Sequence, residues 1–156
     1  METREIVIKM QVLSYEELSK EDKKLIEEAK SATQRAYAPY SKFQVGAAVL
    51  LENQEIHTGS NQENAAYPSG LCAERTCLFS VHSLYPKQRI EALAIAGFTG
   101  GDYVENPLPP CGACRQVIKE YEDLQGSPIR ILLYGKKNIY ILSSGADLIP
   151  VAFELS

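Results

Sequence analysis

The sequence predicts an α/β protein, a three-layer sandwich in which helices cover both faces of a mixed, partly parallel β-sheet. Three observations carry this. Strand-like and helix-like stretches follow in the order β, α, β, β, α, β, α, β, β. The strand–helix–strand–helix–strand run from Glu55 to Tyr134 calls for right-handed crossovers, and hence for some parallel pairing. The stretch from Ile90 to Gly97 is nearly continuously apolar, the mark of a strand covered on both faces. At 156 residues the chain is long enough to bury a full core as one domain, residues 1–156.

In chain order, Arg4 to Val12 alternates, with Ile6, Ile8, Met10 and Val12 on one face, and predicts a first strand. Ser14-Tyr15-Glu16-Glu17 has the form of a capping box and opens a helix. Leu18, Leu25, Ile26, Ala29, Thr33 and Ala36 repeat at helical spacing, and the helix should stop before Pro39. Phe43 to Leu51 is the next strand, turning at Glu52-Asn53-Gln54 into a partner over Glu55 to Asn61. Gly46, Ala47 and Ala48 form a small-residue patch that lets a helix or backbone approach closely.

Beyond a turn at Tyr67-Pro68-Ser69-Gly70, a helix runs from near Cys72 to about Leu84, followed by the apolar strand from Ile90. Gly100-Gly101 and Pro107, Pro109 and Pro110 mark a loop. The next helix runs from near Cys111 to about Leu124 and stops at Gly126. Ile129 to Tyr134 and Ile139 to Leu142 are the last strands, and Pro150 precedes a short apolar tail ending in Phe153. There are no repeats, low-complexity tracts or linkers.

Composition narrows the function. Apolar residues make up 45% and charged residues 23%, ordinary values for a soluble globular protein. The longest apolar runs, Ala47 to Leu51 and Ala92 to Phe98, are too short to span a bilayer. The charged start Met1-Glu2-Thr3-Arg4-Glu5 has no secretory character, so a cytoplasmic protein without membrane partners is expected. With a net charge of −4 and no basic run longer than Lys136-Lys137, polynucleotide binding is disfavoured and a small uncharged ligand preferred. Four cysteines then point to metal or redox chemistry before disulfides.

Two motifs concentrate the chemistry: Cys72-Ala73-Glu74-Arg75 and Pro110-Cys111-Gly112-Ala113-Cys114-Arg115. Three Cys thiolates leave one corner of a tetrahedral zinc site open for water, as a catalytic metal requires. Glu74 stands two residues after the first thiol, close enough to handle protons there. Cys72 and Cys111 fall at or just before helix starts, where the partial positive charge favours thiolate. Cys77 raises one alternative, a closed four-thiolate structural site with Cys72, Cys111 and Cys114, and the Cys111-x2-Cys114 spacing raises a second and weaker one, a redox role. Helix geometry counts against the first: residues five apart point about 140° away from each other. Three thiolates and Zn²⁺ sum to −1, an excess that Arg75 and Arg115 would offset by hydrogen-bonding the sulfurs.

The chain also carries Tyr37-Ala38-Pro39-Tyr40-Ser41-Lys42-Phe43, Val45-Gly46-Ala47-Ala48, Asn61-Gln62-Glu63-Asn64-Ala65-Ala66-Tyr67 and the tail Leu148-Ile149-Pro150-Val151-Ala152-Phe153. With the cysteine motifs, these make it resemble the short, homotetrameric, zinc-dependent cytidine deaminases from about Tyr37 to Phe153. That resemblance implies one zinc per chain on Cys72, Cys111 and Cys114, with Glu74 as proton shuttle. It implies ribose contacts from Asn61 and Glu63, stacking by Phe43, a base-edge contact from the Ala73 backbone, and Phe153 reaching into a neighbouring subunit's site. The implied reaction is hydrolytic deamination of cytidine and deoxycytidine to uridine and deoxyuridine in pyrimidine salvage, by a zinc-bound hydroxide. The chain departs from the family pattern at Cys77, at Pro68-Ser69-Gly70, and in its extra N-terminal strand within residues 1–15. Two rivals are a blasticidin-type deaminase of a cytosine nucleoside antibiotic and a non-catalytic zinc module. Asn61, Glu63 and Phe43 favour a nucleoside over the first, and Glu74 favours an enzyme over the second.

Overall fold

The structure is a computed structural model and describes residues 1–155. Its strands are β1 (Met10–Leu13), β2 (Gln44–Leu51), β3 (Ile56–Ser60), β4 (Ile90–Thr99), β5 (Asp102–Tyr103), β6 (Arg130–Tyr134) and β7 (Ile139–Leu142). The helices are α1 (Lys20–Ala32), α2 (Ala73–Leu84) and α3 (Gly112–Gln125), with short 3₁₀ turns at Thr33–Arg35, Tyr67–Ser69 and Gly145–Leu148.

The strands form one mixed sheet in the order β1-β7-β6-β4-β2-β3, with β5 attached to the end of β4. β4 and β6 are parallel. β2 is antiparallel to both β3 and β4, so those two also run the same way. Helices α2 and α3 are therefore crossovers between parallel strands, and each begins beyond a strand's C-terminal end. Both N-termini accordingly lie along one edge of the sheet, where open α/β sheets place their ligands.

Alternation along the strands divides the core into two layers. Leu93 and Ile95 of β4 join Ala73, Cys77, Leu78, Val81 and Ile118 from α2 and α3. Ala92, Ala94 and Ala96, on the opposite face, meet Leu25, Ile26 and Ala29 of α1. Small residues on that face let α1 sit close. At Gly46 a Cβ would lie 2.0 Å from the Ala29 carbonyl oxygen and 2.7 Å from the Thr33 nitrogen, so only glycine fits.

The structure departs from the sequence expectations at three element ends. The first strand is confined to Met10–Leu13, because β7 offers only Leu142 to Ile139 as partners and nothing among the described residues pairs with residues 4 to 9. The first helix starts after Ser19, whose Oγ accepts from the Asp22 nitrogen at 3.1 Å. At Ser14, only the reverse half of a capping box forms, the Ser14 N–H donating to the Glu17 carboxylate at 2.7 Å. Gly100 and Gly101 do more than loop: with φ of +61° and +86° they turn the chain back as a two-residue hairpin into β5.

Candidate active site

Cys72 and Cys111 are the N-cap residues of α2 and α3, in extended conformations (φ −68°, ψ 156° and φ −66°, ψ 167°). Neither side chain caps its own helix, so both sulfurs are free to project from the helix ends. Cys114, in the first turn of α3, is buried behind them. The Sγ atoms of Cys72 and Cys111 are 3.7 Å apart, and those of Cys111 and Cys114 are 3.6 Å apart. All three lie within 4.8 Å of one another. A tetrahedral ion with Zn–S bonds of about 2.3 Å requires S···S separations near 3.8 Å, so the donors fit zinc in both type and spacing.

Cys77 takes no part in this cluster. It lies in the core beneath α2, with Sγ 3.3 Å from the His57 carbonyl oxygen, and burial pushes its thiol up to about 12.

Protons are unequally shared among the three clustered thiols. Cys72 is held well below the ordinary thiol range, first by the Cys114 thiol and then by Arg75, whose Nη2 lies 3.6 Å from its sulfur. Cys114 moves the opposite way, as the partner that keeps its proton. Glu74 is 4% exposed. Burial, reinforced by the negative Cys72 sulfur, pushes its carboxyl up to about 7.

The two arginines differ. Arg75 faces the Cys72 sulfur, while its Nε is buried without a hydrogen-bond partner among the described residues. Arg115 donates from Nε to the Pro110 carbonyl and from Nη1 to the Leu148 carbonyl, both at 2.9 Å, rather than to a thiol. It thus ties the residue preceding Cys111 to the C-terminal segment.

Beside Cys72 a cleft of about 580 Å³ is lined by Tyr40, Ser41, Asn61, Glu63, Tyr67 and Arg75, among others. Its floor is stitched from two segments. The Tyr37 N–H donates to the Asn61 carbonyl at 2.9 Å, and the Glu63 N–H donates to the Tyr37 carbonyl at 2.8 Å. The Glu63 carboxylate accepts from the Tyr40 N–H (2.9 Å), the Ser41 N–H (3.2 Å) and the Ser41 hydroxyl. These donors, the Ser41 hydroxyl foremost, hold its carboxyl below the ordinary glutamate range. Ser41 Oγ also accepts from the Phe43 N–H at 3.0 Å.

Of the remaining expected site residues, Ala73 is fully buried at the start of α2. Phe43 is half-buried and lies outside the cleft lining; its ring rests on Gly97, where a Cβ would come within 3.3 Å of it. Phe153 stands apart from the cleft on the outer side of α3. Its backbone accepts from Gln116 Nε2 (2.8 Å) and donates to Gln116 Oε1 (3.2 Å), leaving the residue 68% exposed. The roles of Ser41 and Tyr40 as anchors of Glu63 were missed from the sequence. The signal was there, in a hydroxyl two residues before Phe43.

Residues 19–125 match the family model described as the cytidine and deoxycytidylate deaminase zinc-binding region. The chain is 44% identical over 131 residues to a cytidine deaminase of Sporosarcina psychrophila, covering 84% of this chain and 90% of that protein. It is 38% identical over 130 residues to one of Mycobacterium tuberculosis, covering 81% and 85%. The crystal structure of a cytidine deaminase from Burkholderia pseudomallei superposes with a TM-score of 0.69 at 41% identity, covering 83% of this chain and 97% of that one. The three-cysteine cluster, the one such group among the described residues, is the zinc site, with one ion per chain. No helix among those residues is long and apolar enough to cross a membrane.

Proposed function

The chain belongs to the cytidine and deoxycytidylate deaminase zinc-binding family and is a deaminase, and from that premise we propose that it hydrolyses cytidine and deoxycytidine to uridine and deoxyuridine with release of ammonia, in a zinc-dependent reaction. The observation that carries this reading is the burial of the Glu74 carboxyl beside a three-thiol cluster that leaves one tetrahedral corner free. Zinc held by Cys72, Cys111 and Cys114 supplies a Lewis acid that makes water nucleophilic near neutral pH.

Glu74 does the proton work. It takes a proton from the water and delivers it to N3 of the base as the oxygen adds to C4. It then carries the remaining hydroxyl proton to the C4 amine, which leaves as ammonia. A carboxyl whose burial lifts it to about 7 both accepts and releases protons near neutrality, which suits a shuttle. Arg75, beside Cys72, draws negative charge from the thiolates and lines the cleft.

Substrate binding falls to the cleft side. Asn61 and Glu63 hold the ribose hydroxyls, Phe43 stacks near the pyrimidine, and the Ala73 backbone meets the base edge. The exposed Phe153 serves a neighbouring subunit in a homotetramer, and the enzyme acts in cytoplasmic pyrimidine salvage. Arg115 acts indirectly, by holding Pro110 and therefore the approach to Cys111.

The test is ultraviolet absorbance of the purified protein with cytosine and adenine nucleosides, with zinc measured on the same sample. Cytidine and deoxycytidine should convert to the uracil nucleosides while adenosine does not. A protein that holds zinc and leaves both cytosine nucleosides unchanged would refute the reading.

A further inference from the structure

The N-terminal segment is the part of the molecule that the catalytic reading leaves unused. It precedes the family match, which begins at residue 19. β1 is the last strand on its side of the sheet, with β7 as its one neighbour. Residues 4 to 9 run on past the end of β7 and pair with no strand among the described residues, yet they keep the alternation of a strand. Ile6, Ile8, Met10 and Val12 fall on one face and are exposed, Ile6 at 61%. Met10 and Val12 stand opposite Leu142 and Tyr140, on the sheet face that carries α3. An exposed apolar edge of this kind is a template for another strand.

We propose that this segment is a dimerisation arm, in which Arg4 to Met10 of two copies of the chain pair as antiparallel strands about a twofold axis through Val7. The occupant follows from the sequence of the arm itself. In an antiparallel pair, opposed residues share a face, so the two apolar stripes coincide only in registers where opposed residue numbers have an even sum. Centring on Val7 sets Glu5 opposite Lys9 twice and Ile6 opposite Ile8 twice, with Arg4 facing Met10. Centring on Ile8 sets Glu5 against Gln11 and Val7 against Lys9, and centring on Ile6 sets Glu5 against Val7; both lose the charge pairing. Only the Val7 register satisfies charge and hydrophobic pattern together, and it does so with a second copy of the same strand. The contact is isologous, as a twofold dimer requires.

The experiment is oxidative cross-linking of the zinc-loaded full chain, read as covalent dimer on a denaturing gel, with wild type as the blank for native thiols. Val7→Cys sets a cysteine opposite its own copy, with Cα atoms about 4.5–5.5 Å apart, within disulfide reach. Lys9→Cys separates the two thiols by four residues along the strands, about 13 Å, out of reach. The expected result is dimer from Val7→Cys and little from Lys9→Cys. Adding Glu5→Lys to Val7→Cys should lower the yield about fivefold through two like-charge pairs, and adding Lys9→Glu as well should restore it. Equal yields at the two positions, no dimer from Val7→Cys, or no rescue by the double reversal would overturn the proposal. None of these readouts depends on deaminase activity, so the arm and the catalytic reading stand or fall separately.

Discussion

Asn61 grips the entry to β2, where Phe43 immediately precedes the strand: its Nδ2 donates to the Phe43 carbonyl at 2.9 Å, and its Oδ1 accepts from the Val45 N–H at 2.8 Å. A residue taken from the sequence as a ribose contact is therefore also the clamp on the start of β2. One amide N–H remains for a ligand. Asn61→Ala removes both bonds and leaves two backbone groups without partners, which should cost roughly 2 kcal/mol of stability. KM for cytidine should rise more than kcat falls, since the reacting centre is untouched. Urea unfolding with steady-state kinetics checks this; unchanged stability would show that the clamp contributes nothing.

Cys77 and Cys111 separate structural from metal-binding thiols. Cys77→Ala should keep zinc and turnover and lose about 1 kcal/mol from a small core cavity. Cys111→Ala should lose both zinc and turnover. Zinc analysis of the two purified variants decides it, and metal loss in Cys77→Ala would revive a four-thiolate site.

Glu63 links the cleft to pH through Ser41. Its folded pKa lies below the free value of 4.5, so its hydrogen bonds contribute fully above that value and are lost as pH falls through the lower, folded pKa. Ser41→Ala removes the largest cause, so the Glu63 carboxyl should titrate closer to 4.5. A carbon-13 NMR titration of that carboxyl in wild type and variant reads the shift directly. An identical pKa in the two proteins would remove Ser41 from the account.

The tail tests the role given to Phe153. Its backbone is fixed to Gln116, Glu154 reaches Lys119 at 3.1 Å, and Phe153 stays exposed. Deleting Val151 to Ser156 should raise KM for cytidine and leave the zinc content unchanged. A KM equal to that of wild type would exclude Phe153 from a neighbour's site.

Much of this architecture was legible in the sequence, for reasons that differ by element. The apolar run of β4 and the Gly126 stop of α3, at φ +67°, write burial and backbone geometry directly into residue type. The zinc cluster was legible because thiols at helix starts have few other uses. The extent of β1 was not, since alternation reports a willingness to pair and not the length of the partner. Glu122 is a further case: a carboxylate on α3 reads as solvent-facing. It is in fact buried, accepting from the Ile129 N–H (2.7 Å), the Gly145 N–H (2.6 Å) and the Ala146 N–H (3.0 Å). Those partners lie up to 24 residues away, and no local pattern announces them.

Glu74→Gln bears most directly on the central claim. Glutamine keeps the shape and a hydrogen-bonding group, so fold and zinc content should match wild type. It carries no proton between water, N3 and the departing amine. A single general acid–base group usually contributes ~10²- to 10⁴-fold, and one serving successive transfers should reach the upper part of that range. Single-turnover conversion of cytidine by zinc-replete Glu74→Gln is the measurement. A loss of about a thousandfold or more with nucleoside binding retained is the predicted result; retention of more than about a tenth of the wild-type rate would contradict it.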